Sequence, residues 1–259
     1  MGRLLGVVAI VLATASALAV NALAELSQKG DLLVSYSGKV RPSSLPRHGA
    51  AGVAVSIGGK ISTTDGTPPP QLKTIEIEIN RHGRLDYEGL PVCRLGQIQP
   101  SSARNARNAC GGALIGEGSF SADVVLPQQS PFPSKGQVLA FNGRIDGHPA
   151  ILAHVYGTEP LPTSYTLPFA IKHAAGTYGT VLTAYLPKTT GDWGFVTGIS
   201  MTLGRRFRYR GQSHSYLSAG CPAPKGFRGV FFPLLRASFA FAEGHTLDST
   251  LMRSCKVAG

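Results

Sequence analysis

From about residue 31 onward, apolar and polar residues alternate with a period of two along most of the chain. Ile75, Ile77 and Ile79 alternate with Thr74, Glu76, Glu78 and Asn80, the pattern of a strand with one buried and one solvated face. Leu32, Val34 and Tyr36 form a second apolar set, and Val53, Val55 and Ile57 a third. Leu114, Phe120, Ala122, Val124 and Leu126 form a fourth around a glycine-rich kink. Residues 138–145 and 148–156 are apolar on both faces, which places them centrally, and Asp146-Gly147 between them is a type I′ hairpin dipeptide. Tyr165, Leu167, Phe169 and Ile171 continue the pattern, followed by Tyr178–Leu186. Phe195, Ile199, Met201, Leu203, Phe207 and Tyr209 share one parity across Gly204. A closing hairpin, residues 230–242 and 246–255, turns at Glu243-Gly244. The expected fold class is all-β, a single antiparallel, jelly-roll-like β-sandwich of about eleven strands. One segment breaks the period: Ser102–Asn108 predicts a short helix capped by Ser101 or Ser102, with Ala103 and Ala106 inward and Arg104 and Arg107 outward.

The start of the chain has another character. Arg3 precedes the 21 uncharged residues Leu4–Ala24, and Ala17-Leu18-Ala19 and Ala22-Leu23-Ala24 both have the small-x-small form of a signal-peptidase site. Residues 1–24 therefore read as a signal peptide cleaved after Ala24, leaving 25–259 as one β-sandwich domain. Uncleaved, the same run is long enough to act as a membrane anchor. Export places the protein outside the cytoplasm, secreted or in the cell envelope. There the four cysteines, Cys93, Cys110, Cys221 and Cys255, form two disulfides by default. Three connectivities are open; nearest-neighbour pairing, Cys93–Cys110 and Cys221–Cys255, closes the shortest loops. That pairing meets a geometric difficulty. Across a hairpin turning at Glu243-Gly244, Cys255 lies opposite Phe232, so Cys221 reaches it only if Pro222–Gly229 folds back along the sheet end.

Composition narrows the classes. Charged residues make up 15% and hydrophobic residues 43%, which excludes a disordered chain and argues against a coiled coil or long helical bundle. The formal net charge of +11 has one focus, Arg205-Arg206-Phe207-Arg208-Tyr209-Arg210. If Phe207 and Tyr209 keep the inward register, Arg206, Arg208 and Arg210 point outward, about 6.6 Å apart at strand rise. That spacing suits an anionic envelope polymer or an acidic glycan; it also suits an edge strand protected by charge. Nucleic acid is not an expected partner of an exported protein, and the membrane is met only through the leading segment if that stays uncleaved. The oligomeric state is left open.

Two stretches resemble a family of uncharacterised exported β-sandwich proteins from high-GC bacteria. One is Leu90-Pro91-Val92-Cys93 followed by Ala109-Cys110-Gly111-Gly112-Ala113-Leu114-Ile115-Gly116. The other is Cys221-Pro222-Ala223-Pro224-Lys225-Gly226-Phe227, with Phe232-Pro233 and a closing hairpin ending at Cys255. The resemblance implies a shared fold and disulfide frame and brings no activity with it.

Catalytic motifs are sparse. Gly198-Ile199-Ser200-Met201-Thr202 lacks the second glycine of a nucleophile elbow, and Gly58-Gly59-Lys60 is followed by Ile61 rather than the Ser or Thr of a P-loop. Seven histidines are scattered, and His148 and His154 lie about 20 Å apart on one strand, too far to share a metal. No cofactor or metal is expected. One pair carries an alternative reading: Glu76 and Glu78 stand on one strand face, as in the E-x-D-x-E strand of jelly-roll glucanases, making the alternative a glycan-acting hydrolase. Asn80 stands where that strand carries its acid/base, so the proton donor of retaining hydrolysis is missing. The favoured expectation is a non-catalytic binding or structural module.

Overall fold

The structure, a computed structural model, describes residues 24–159, 162–186 and 194–258. The expected signal peptide, apart from Ala24, and the single tryptophan, Trp193, lie outside them. The described residues form eighteen strands, thirteen of them in one sheet, and the alternation of Ile75, Ile77 and Ile79 lies in one of the thirteen. In spatial order these are β1 (Glu25–Lys29), β2 (Leu32–Arg41), β5 (Ala54–Thr63), β13 (Gly194–Leu203), β8 (Leu114–Val124), β9 (Phe132–Ile145) and β10 (His148–Gly157). The order continues through β11 (Thr163–His173), β12 (Tyr178–Tyr185), β6 (Leu72–Asn80), β17 (Gly229–Phe241), β18 (Thr246–Val257) and β3 (Ser44–Leu45). Neighbours are antiparallel except β3, which runs parallel to β18.

The expected eleven-stranded sandwich is therefore corrected to one curled sheet. Period two assigns each strand an inward face, and two stacked sheets or one curled sheet satisfy that requirement equally. Side chains hold the curl where the first strands meet the last hairpin. The Tyr36 hydroxyl donates to the Ser249 carbonyl at 2.6 Å, and Arg253 reaches the Gly38 carbonyl at 2.8 Å and Glu25 at 2.9 Å. Gly38 permits this approach, since a Cβ there would lie 2.7 Å from the Leu251 side chain.

Inside the curl, Val138 and Ala140 of β9 pack with Ile151, Ala153 and Val155 of β10, Leu182 of β12 and Met201 of β13. The segment from Tyr216 to Ala223 joins the same cluster. The opposite faces of β9 and β10 are buried as well: Leu139, Phe141, Ala150 and Leu152 lie beneath a helical roof. The roof is α1 (Leu95–Ile98) and α2 (Ala103–Cys110). In α2, the expected helix, the Ser102 hydroxyl accepts from the Asn105 N–H, Ala103 and Ala106 are buried, and Arg104 and Arg107 face outward. The single turn α1 is an addition, too short to register as a period; it buries Ile98 completely.

Both disulfides take the nearest-neighbour pairing. Cys93–Cys110 fastens the roof to the chain entering it, and Cys221–Cys255 has its Cα atoms 5.7 Å apart. The return of residues 222–229 is a turn closed by the Phe227 N–H donating to Pro224 O at 3.1 Å, and Arg47 donates to the carbonyls of Ala223, Pro224 and Phe227. The residue opposite Cys255 is Val230 rather than Phe232, because a bulge between Pro233 and Leu235 and the wider turn at 241–245 shift the register.

Candidate functional site

The run from Arg205 to Arg210 does not extend β13. Strand β13 ends at Leu203, and β14 (Arg206–Tyr209) pairs with β15 (Gln212–Ser215) as a separate hairpin. Its turn is Arg210-Gly211, with φ of 50° and 78°, the left-handed pair of a type I′ turn. Arg206, Arg208 and Arg210 are exposed, and Phe207 and Tyr209 are half-buried. The expected parity thus appears on a two-stranded hairpin rather than on the long strand. Arg205 is the inward member and donates to Leu114 O at 3.4 Å.

The half-buried face locks the hairpin down. His214, opposite Phe207 in the ladder, stacks on the Phe207 ring at 5.6 Å between centroids and meets the Tyr209 ring edgewise at 5.9 Å. The Nδ1 of His214 lies 3.2 Å from an Asp86 carboxylate oxygen. Tyr209 also presses on Gly89, whose φ is +81° and where any Cβ would fall 2.3 Å from the ring. Two contacts therefore clamp the hairpin to residues 86–89. The Arg210 guanidinium sits 5.0 Å from the Tyr209 ring centroid, a cation–π contact that orders it at the turn. Among the described residues, Arg206, Arg208 and Arg210 make no ion pair.

Beside the turn end of the hairpin lies a depression of about 260 Å³ lined by Tyr87, Glu88, Val92, Arg144, Pro149 and Tyr209, among others. Sequence reasoning missed both the clamp and the depression. Asp86 and His214 are 128 residues apart, and neither stands in a motif.

Glu76 and Glu78 lie on the outward face of β6, opposite the interior that receives Ile77 and Ile79. The Thr183 hydroxyl donates to Glu76 at 3.4 Å, and Arg236 makes a charge-assisted hydrogen bond to Glu78. Arg236 also lies 5.4 Å from the Tyr178 ring centroid. Asn80 is not on that outward surface. It is buried, donates to Pro233 O at 2.8 Å and accepts from the His82 N–H at 3.0 Å, closing the turn after β6.

The histidines separate in the same way. His148 is exposed beside the Asp146-Gly147 turn, whereas His154 is fully buried beneath the roof. Its Nδ1 faces the Thr166 hydroxyl at 3.4 Å, its Nε2 makes no hydrogen bond of good geometry among the described residues, and burial, opposed by the Ser101 backbone, holds its pKa below the ordinary histidine value. Among the described residues no three His, Cys, Asp or Glu side chains group to hold a metal ion. No helix among them is long and apolar enough to cross a membrane. Two closed disulfides indicate an oxidising, extracytoplasmic setting. Comparison with family models, curated proteins and solved structures found no match to this chain.

Proposed function

We propose that the chain is an exported, non-catalytic binding module of the cell envelope that holds an anionic polymer on the β14–β15 hairpin. The supporting observation is three exposed arginines without ion pairs, on a hairpin fixed from behind by Asp86–His214 and by Tyr209 on Gly89. A guanidinium is always charged and presents a fork of donors that matches carboxylate or phosphate oxygens two at a time. Holding the hairpin still removes part of the ordering cost that a mobile basic loop would incur on binding. The export reading is supported by the apolar run Leu4–Ala24 and by the two disulfides. The test is the triple replacement of Arg206, Arg208 and Arg210 by Ser, titrated with polyphosphate and with polygalacturonate at several salt concentrations. Affinity should fall at least about tenfold, the dependence on salt should flatten, and folding should stay nearly unchanged. Unaltered affinity for both polymers would leave the arginines only the role of protecting the hairpin's edges.

A further inference from the structure

We infer that the depression beside the turn of the arginine hairpin is a subsite for one sugar ring, so that the polymer held is an acidic glycan rather than a polyphosphate. This rests on the hairpin being the anion-binding surface. The link is Tyr209, which lines the depression and also carries the Arg210 guanidinium at 5.0 Å. A polymer held by the arginines reaches the depression around the hairpin's turn, where Arg210 meets Tyr209, because Arg206 and Arg208 lie on the opposite face of the strand.

The lining selects the class of ligand. Tyr87, Val92 and Pro149 offer apolar and aromatic surface, which the C–H face of a sugar can cover and a phosphate chain cannot. Arg144 supplies a cation for a ring carboxylate. Glu88 is an exposed carboxylate at the same depression; it accepts from sugar hydroxyls, donors that a phosphate chain lacks. Neither Arg144 nor Glu88 makes an ion pair among the described residues, so neither is neutralised in place. The volume of about 260 Å³ falls below the roughly 300–1,000 Å³ of sites for drug-sized ligands and suits a single ring. The wall is preset, because Tyr209 is pinned by Gly89.

The experiment compares an oligogalacturonate with a linear polyphosphate of matched charge, at one ionic strength, on the purified protein. The unmodified protein should prefer the glycan by about tenfold. Val92→Trp, which fills the depression from an exposed position, should bring the two affinities to within about twofold of each other by weakening the glycan alone. Arg144→Ser should reduce the preference in the same direction, which guards against a local distortion caused by the tryptophan. Equal affinities in the unmodified protein, or a preference that survives both variants, would overturn the subsite and leave the arginine hairpin as a general anion site. Binding of neither polymer would overturn both readings.

Discussion

Strands β9 and β10 bury both of their faces, whereas β6, further round the same sheet, is half-buried on both, with Ile77 and Ile79 packed against the interior. On the roofed side, Val138 and Ala140 enter the curl while Leu139 and Phe141 pack upward against Ile98, Ala103 and Ala106. On the open side, Ile77 and Ile79 enter the curl while Glu76 and Glu78 lie half-buried on the other face, against Thr183 and Arg236. One sheet is thus a three-layer assembly on one flank and a two-layer one on the other. The difference locates stability and tolerance. Replacements on the roofed flank remove contacts from the curl or from the roof, whichever face the side chain takes, and the outward face of the open flank is free to carry charge. The arginine hairpin belongs to neither flank: it is a separate two-stranded element whose apolar side is spent on the clamp.

The comparison predicts its largest effect at Phe141, which has no exposed surface. Phe141→Ala should cost about 3–5 kcal/mol in denaturant unfolding, and Ile77→Ala, half-buried on the open flank, should fall at the lower end of the roughly 2–5 kcal/mol range for such truncations. Equal losses would mean that the roof adds nothing to the burial of β9.

Next comes the staple of the roof. Replacing Cys93 and Cys110 together by Ala opens a loop with a sequence separation of 17. In the chain-entropy model that costs about 3 kcal/mol. Hydrogen exchange should then rise in α1, α2 and the roofed amides of β9 and β10 before it rises in β6 and β17. Uniform acceleration would show that the roof and the curl unfold as one unit.

These two regions also explain what the sequence could reveal. The roofed strands were legible because residues 138–145 and 148–156 are apolar at both parities, and Asp146-Gly147 announces their turn. The helix above them was legible through Ser102, Ala103 and Ala106, and the cysteine pairing followed from loop length. Curling was not legible, because inward parity does not say whether the opposing surface belongs to a second sheet or to the far end of the same one. The break after Leu203 was hidden because the hairpin keeps the parity of the strand before it. The clamp was hidden for a different reason: Asp86, Gly89 and His214 acquire their roles only once distant segments meet.

His154 tests the roof by pH. It faces Thr166 on β11, stands opposite Leu139 on β9 and lies against the Ser101 backbone, with no carboxylate among these neighbours. Its folded pKa is depressed below the ordinary value of 6.5, chiefly by burial. As pH falls through that ordinary value the unfolded chain takes up a proton that the folded one refuses, so stability declines with falling pH until the folded pKa is reached. Above the ordinary value the contribution is constant. His82, whose pKa is also lowered by burial and by Arg81 and Arg84, pulls in the same direction. The measurement is therefore the difference between the unmodified protein and His154→Gln across mildly acidic pH. A difference that shrinks as pH falls is expected; a constant one would place the acid sensitivity elsewhere.

The smallest effect belongs to the open flank and bears on whether its carboxylates are more than a solvated face. Glu78 pairs with Arg236 across β6 and β17, the Arg236 side chain being 47% exposed and that of Glu78 14%. With its cation open to solvent, such a pair contributes about 0–1 kcal/mol and is weakened by salt. Arg236 keeps its position over Tyr178 when the carboxylate is neutralised, which limits the loss further. Glu78→Gln should therefore cost no more than about 1 kcal/mol in thermal or urea unfolding, with the difference narrowing as salt is added. Glu76→Gln, which disturbs only the hydroxyl bond from Thr183, should cost less still. A loss of several kcal/mol, insensitive to salt, would mean that this carboxylate sits in a desolvated network, and the contrast between the roofed and open flanks would fail at its simplest point.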